Sequence, residues 1–313
     1  MQNIKNITIF GGTGFLGRYV VKELAKLGYK INILSRYPED SLYLKTAASV
    51  GQIKFFRGNI FDDKLIEKLI KESDAVINLV GVLYEKKRGD FVKYHSQFPE
   101  YVAKLAAKYK IKKLIHVSAL GVDKNVAAKY ALSKFQGEEL IKSNFKNAVI
   151  LRPSVVFGAE DNFMNKFAKM ACFSPFLPLI MGGETKFQPV YVNDIALSIK
   201  KIIQTDDIKD KTYELAGPDI LDFKKLLELC LLYSGKKRLF INLPRKIALF
   251  LAWFLEKLPN PQLTRDQVKM LANDNVTNQG ALTFFDLQIQ PKNIEEILPK
   301  YLDIYKTSCN YKD

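Results

Sequence analysis

The chain has 313 residues, 48% of them hydrophobic, and carries 48 Lys and Arg against 33 Asp and Glu for a net charge of +15. That length accommodates one large domain and a smaller lobe, while no apolar stretch approaches the ~20 residues that a membrane-spanning helix needs. The basic excess, mostly Lys, favours anionic partners such as nucleotide phosphates, acidic lipid head groups or an acidic protein; no nucleic-acid-binding module is recognisable, and nucleic acid is not an expected partner.

The first apolar run, residues 4–10, leads directly into Gly11-Gly12-Thr13-Gly14-Phe15-Leu16-Gly17 and then into an amphipathic helix over 15–27. Strand, glycine turn and helix in that order form the first unit of a dinucleotide-binding sheet. Gly11 lets the chain turn sharply, Gly14 lets backbone N–H groups approach a pyrophosphate, and Gly17 lets helix and strand pack closely. The helix N-terminus adds a positive dipole. Further strands are predicted at 30–34, 53–56, 75–80, 113–117 and 148–151, with helices at 63–71, 98–109 and 127–143. Several of these strands are continuous apolar runs, as expected when both faces of a sheet are covered. The predicted fold is α/β, a Rossmann-type doubly wound parallel sheet over 1–158. A smaller lobe, 159–313, faces the sheet's C-terminal edge.

Four strand ends extend the cofactor pattern. After the second strand stands Arg36, about twenty residues past the glycines, where an Asp or Glu would bind a ribose 2′-hydroxyl. Arg suits a 2′-phosphate, so NADP(H) is expected over NAD(H), although Asp40 offers Arg36 an ordinary ion pair. After the third strand, Asn59 and Ile60 lie where an adenine edge would rest, and Asp62 or Asp63 also suits a helix N-cap. After the fourth strand come Val80 and Gly81, expected beside the nicotinamide ribose. After the sixth, Pro153 and Val156 are expected near the nicotinamide.

Tyr130 and Lys134 form a YxxxK pair on a predicted helix. Residues four apart share a helix face, so phenol and ammonium enter one cleft, where Tyr acts as general acid or base. Ser118 ends the fifth strand and is the candidate third member. Ala119 occupies the place of a second hydroxyl, and a missing donor of this kind is worth about 10²–10³ in rate. His116 reads as packed within its strand, and His95 lies in a loop-to-helix segment with no partner apparent. No metal site is expected.

These segments, together with Leu151 to Phe163 (LRPSVVFGAEDNF), Gln188 to Asp194 (QPVYVND) and Leu263 to Leu271 (LTRDQVKML) followed by Asp274-Asn275-Val276, cover most of the chain. They resemble an atypical extended branch of the short-chain dehydrogenase/reductase superfamily. That branch includes the nucleotide-binding accessory subunit of mitochondrial complex I and its bacterial relatives. The resemblance implies a tightly held NADPH, a place beside complex I or another membrane quinone enzyme as an accessory or assembly factor, and YxxxK retained within an incomplete catalytic set. A soluble NADP-dependent reductase or a nucleotide-sugar epimerase or dehydratase is the alternative.

Three features bear on location. Cys172, Cys230 and Cys309 are odd in number and widely spaced, which fits a reducing compartment. No signal or transit segment is recognisable before the first strand, so a bacterial cytoplasmic protein is expected, peripheral at the inner face of the cell membrane. The apolar run 247–255, flanked by Arg245, Lys246 and Lys257, reads either as a buried helix of the small lobe or as an interfacial helix on an anionic membrane surface. The segment 173–181, broken by Pro175 and Pro178, reads as a docking loop.

Overall fold

In the computed structural model, which describes residues 4–124, 127–307 and 309, strand and helix alternate through the first half of the chain. The order is β1 (Asn6–Phe10), α1 (Phe15–Ala25), β2 (Lys30–Ser35), β3 (Ile53–Arg57), α2 (Asp63–Lys71), β4 (Ala75–Asn78), the single turn α3 (Asp90–Val92), α4 (Phe98–Lys108), β5 (Lys113–Val117), α5 (Lys129–Asn144) and β6 (Val149–Pro153). Next come β7 (Val156–Phe157), α6 (Met164–Phe173), β8 (Phe176–Ile180), β9 (Lys186–Phe187), β10 (Val190–Tyr191), α7 (Val192–Gln204) and β11 (Lys211–Leu215). The chain continues through β12 (Leu221–Asp222), α8 (Phe223–Tyr233), β13 (Leu239–Leu243), α9 (Arg245–Leu255) and α10 (Arg265–Met270). It closes with the short turns α11 (Ile294–Ile297), α12 (Pro299–Leu302) and α13 (Ile304–Thr307).

Seven strands form one sheet in the order β11-β6-β5-β4-β1-β2-β3, every neighbouring pair parallel. β4, β5 and β6 are buried at every position, because the crossover helices cover both faces. On one face Val20, Val21 and Leu24 of α1 share a core with Ile195, Ile199 and Ile202 of α7. On the other, Ile66 and Leu69 of α2 pack with Val102 and Ala106 of α4 and Ile141 of α5. The chain reverses direction across the sheet between β1 and β4, and that crevice is where open α/β sheets bind ligands.

The rest of the second half wraps around short strand pairs, β7 with β10, β9 with β12 and β8 with β13. A separate aromatic-rich core of Phe157, Phe187, Phe223, Tyr301 and Tyr305 lies beneath them.

The structure corrects three sequence expectations. Residues 176–180 form a strand rather than a docking loop, with Pro178 opposite Ile241 in a two-stranded parallel pair, where a missing N–H is tolerated. Cys172 and Cys309 are joined in a disulfide across 137 residues, with Cα atoms 5.6 Å apart, so they are not unpaired thiols; Cys230 is free and buried. The reading of residues 247–255 as a buried helix also fails. In α9 only Ala248 and Ala252 are buried, while Ile247, Phe250, Leu251, Trp253 and Phe254 are exposed. Among the described residues no helix is long and apolar enough to cross a membrane.

Candidate dinucleotide site

The glycine turn stands at the C-terminal end of β1, in the crevice. Gly11 has φ +82°, and a Cβ there would approach the Leu79 carbonyl carbon to 3.0 Å, so glycine is required on both grounds. A Cβ on Gly17 would overlap the Gly11 carbonyl oxygen and the Gly12 backbone, which fixes the close packing of α1 on the turn. Gly14, the N-cap of α1, has no side-chain cap. It is exposed, and its N–H donates to the Gly11 carbonyl at 3.1 Å. Gly12 packs on Ile33, and Thr13, Phe15 and Leu16 are half-buried around the opening. This is an uncapped helix N-terminus with glycine backbone facing outward, suited to an anion.

Arg36 follows β2, exposed, with no ion-pair partner among the described residues; Asp40 does not take it. Next to it, the Gly58 N–H donates to the Ser35 carbonyl at 3.0 Å. Asn59 follows, its Oδ1 accepting from the Phe61 N–H at 2.7 Å, so its amide –NH₂ is left outward. Ile60 packs with Val80 and Leu34. Asp62 is the N-cap of α2, accepting from the Leu65 N–H at 3.1 Å.

At the centre of the edge, Lys134 donates from Nζ to the Val117 carbonyl at 3.2 Å. It lies 5.8 Å from the Tyr130 ring centroid and 3.5 Å from where a Gly81 Cβ would be. Burial pulls its ammonium down to about 8, against the pull of Glu138. Burial also pushes the Tyr130 phenol above its ordinary range, so Tyr130 is protonated at neutral pH. Ser118 is buried, and its Oγ has no hydrogen-bond partner among the described residues. Arg18 Nε and His116 Nε2 are likewise buried and unpartnered. Orphaned polar atoms are rare in native interiors. Here two of them lie on one face of the strand end beside Lys134, and the third lies on α1, which opens the candidate phosphate site. A dinucleotide with its phosphates at α1 and its nicotinamide near β5 fits this donor set. Pro153 and Val156 stand on the next strand end, buried and half-buried respectively.

His95 belongs to the same site, which its sequence position did not reveal. Its Nε2 accepts from the Val82 N–H at 3.0 Å, and its Nδ1 meets Ser133 Oγ at 2.9 Å. Since Nε2 accepts, Nδ1 carries the proton and donates to Ser133, which donates to the Tyr130 carbonyl at 2.9 Å. The imidazole packs edge-on against Tyr130 at 5.2 Å. Burial, with Lys134 and His116 adding to it, lowers its pKa to about 2. It is a neutral positioning group. Asn78 similarly links β4 to β5, its Nδ2 at 3.2 Å from His116 Nδ1.

A second group, from far along the chain, braces the site. Asp266 of α10 accepts from the Lys129 and Tyr130 N–H groups, both at 2.8 Å, and so caps α5. Asn275 accepts from Ser154 Oγ at 2.6 Å and donates to the Leu120 carbonyl at 3.1 Å. Both lie in the segments that carry the family resemblance, which was the available signal for them. Among the described residues no group of three His, Cys, Asp or Glu could hold a metal.

The model of the NAD dependent epimerase/dehydratase family matches residues 7–216. The chain is 31% identical over 305 residues to the NADH-ubiquinone oxidoreductase 40 kDa subunit, mitochondrial, of Neurospora crassa, spanning 97% of this chain and 80% of that protein. It is 33% identical over 311 residues to the NADH dehydrogenase [ubiquinone] 1 alpha subcomplex subunit 9, mitochondrial, of Arabidopsis thaliana, spanning 96% and 77%. Its fold matches the UDP-glucose 4-epimerase of Bifidobacterium longum in complex with NAD+ and UDP, with a TM-score of 0.72, 16% identity and 97% and 98% coverage. The expected bacterial cytoplasmic location is corrected by these relatives, which are mitochondrial proteins by name. The chain belongs to the NAD dependent epimerase/dehydratase family, in the extended short-chain dehydrogenase/reductase branch that holds these NADH-ubiquinone oxidoreductase subunits.

Proposed function

We propose that the chain is an NADP(H)-binding accessory or assembly component associated with NADH-ubiquinone oxidoreductase, holding its nucleotide structurally rather than turning it over. The full-length likeness to subunits of that enzyme carries the association. The site chemistry supports the structural role. Tyr130 is held protonated under α10, Lys134 is turned to a backbone carbonyl, and Ala119 replaces a hydroxyl. In this reading the turn from Gly11 to Gly17 cradles the pyrophosphate and Arg36 receives the 2′-phosphate. Asn59 and Ile60 border the adenine; Val80, Gly81, Pro153 and Val156 border the nicotinamide and its ribose. The bound nucleotide would supply hydride chemistry if a substrate reached it.

A second reading, a reductase or epimerase, is favoured by the shared face of Tyr130 and Lys134 and by the unpartnered Ser118 hydroxyl. One comparison separates the two. In cells lacking the native protein, Gly14→Val should abolish nucleotide retention and impair assembly of the oxidoreductase. Tyr130→Phe should keep both nearly at wild-type level. Loss of function in Tyr130→Phe with NADPH still bound would establish the enzyme reading instead.

A further inference from the structure

Beyond the crevice, the small lobe contains a cavity of about 350 Å³ whose wall is almost entirely apolar. Phe163, Phe167, Phe187 and Phe223 line one side, and Leu251 and Leu255 of α9 line another. Its inner wall includes Val155, beside the candidate nicotinamide position, and Asn275, which is bonded to Ser154. A nucleotide-linked sugar would need many free donors and cations, and few polar side chains stand on this wall. The Gln267 Oε1 accepts from the Thr264 N–H in the capping box of α10. Asn275 is used by Ser154 and Leu120. Lys166, the one cation on the wall, donates to the Gln262 carbonyl, and burial lowers its pKa.

The wall reaches the outer surface at Leu251, Gln262 and Asn273. Leu251 lines the cavity and is itself 40% exposed. Around it the outer face of α9 presents Ile247, Phe250 and Phe254, all exposed. At the start of that helix Arg245 and Lys246 are exposed and have no carboxylate partner among the described residues. An apolar interior and an apolar entrance, with two exposed cations between one and two turns back along the same helix, together describe an amphiphile of opposite charge. A methylene fills roughly the liquid volume of a water molecule, ~30 Å³, so the cavity holds on the order of ten of them.

We propose that this cavity takes the hydrocarbon chain of an anionic amphiphile, entering beside Leu251 with its head group at Arg245 and Lys246. The chain is acyl or isoprenoid; the chemistry recognised is the same.

The test uses straight-chain carboxylates of six to sixteen carbons and, in a parallel arm, geranic and farnesoic acids. All are kept below micelle-forming concentration and titrated into the full chain. Binding is read by calorimetry and by the fluorescence of Trp253 on α9, the single Trp of the sequence. Affinity should rise about fourfold per added methylene and level off at the length the cavity accepts. The tighter arm at equal carbon number identifies the source of the chain. Leu243→Phe, which narrows the cavity, should shorten the plateau by a few carbons and weaken the longest ligand about tenfold. Leu263→Phe provides a second lining variant in case the first misfolds. Phe250→Ser, on the outer face, should leave the plateau length unchanged. Absence of saturable binding in both arms would overturn the proposal. So would affinity that climbs without a plateau and ignores both lining variants, or displacement of the ten-carbon acid by UDP-glucose. The titration needs no nucleotide, so it succeeds or fails independently of the NADP(H) reading.

Discussion

Arg36 and the two histidines show how single side chains set the character of the crevice. Arg36 is exposed at the end of β2 with no carboxylate among the described residues to neutralise it, and a guanidinium there can make charge-assisted hydrogen bonds to a 2′-phosphate, worth about 1.5–3 kcal/mol. Arg36→Ala should therefore weaken NADPH binding by roughly ten- to a hundredfold and leave NADH nearly unchanged, as measured by nicotinamide fluorescence. Equal wild-type affinities for the two nucleotides would remove the argument. His95 and His116 make a pH prediction. Burial holds them at about 2 and about 3, Lys134 adding to both, against ~6.5 in an unfolded chain. A histidine with a depressed folded pKa stays neutral when folded but takes up a proton when unfolded, so stability is lost as pH falls below the unfolded value. Each should cost the fold about 2 kcal/mol between pH 7 and pH 5. Asp194 works the other way, since burial raises its carboxyl to about 6. It should return about 1 kcal/mol over the same interval. Urea unfolding at the two pH values should show the net loss. These are the only two histidines in the sequence, so NMR can check the cause directly. Neither ring should titrate in the folded protein above pH 4.5.

Among the elements, α5 is closely packed. The π-helical turn Lys93–Gln97 presses against it, and a Cβ on Gly137 would overlap the His95 carbonyl oxygen. Gly137→Ala must push the two apart, at about 3 kcal/mol. Because His95 packs on Tyr130, it should also lower NADPH affinity. Denaturant midpoints and nucleotide titration would record both effects; an unchanged midpoint would mean the turn yields freely. Asp266→Ala should remove the cap of α5 for about 1–2 kcal/mol and raise hydrogen exchange along α10. These contacts mark the limit of what the sequence makes legible. The order strand, glycine turn, helix is local, and the Tyr130–Lys134 spacing is set by helix geometry, so both can be read directly. The capping of α5 by Asp266 and the pairing of Cys172 with Cys309 join residues more than 130 apart, and no periodicity announces them. β11 and β13 escaped notice because each is five residues long and flanked by charge or glycine. His95 looked partnerless because its partners, Val82 and Ser133, come from two different elements of the edge. The segments that carry the family likeness turn out to include much of the internal bracing. Arg152 grips Glu138 and Asp123, and Asp161 accepts from Gly158, Phe163, Asn165 and Tyr301.

At the scale of the whole molecule, a net charge of +15 is combined with one helix that turns its apolar face outward. α9 approaches the lobe through Ala248 and Ala252, small residues that let it lie close, while Ile247, Phe250, Trp253 and Phe254 stay exposed. Phe250, Trp253 and Phe254 stack edge-to-face on that surface, and Lys257 lies 3.6 Å above the Trp253 ring. An exposed apolar patch of this kind on a soluble surface marks an interaction site, and with basic flanks its natural counterpart is an anionic membrane or a complex embedded in one. Electrostatic attraction adds roughly 1 kcal/mol for each Lys or Arg near such a surface and is screened beyond about 10 Å at ~0.1 M salt. The protein should therefore float with anionic liposomes at low salt and be partly released at high salt. The double variant Phe250→Ser, Trp253→Ser should float less at both salt concentrations. It should keep its NADPH affinity, because neither side chain supports the nucleotide sheet. If that variant loses its fold, α9 carries structural weight that its exposure does not show. If the wild-type protein ignores anionic liposomes at low salt, the lipid partner is ruled out, and the α9 face is left to a protein surface of the oxidoreductase. The same variant, scored for assembly of that complex, would then show whether the face is used.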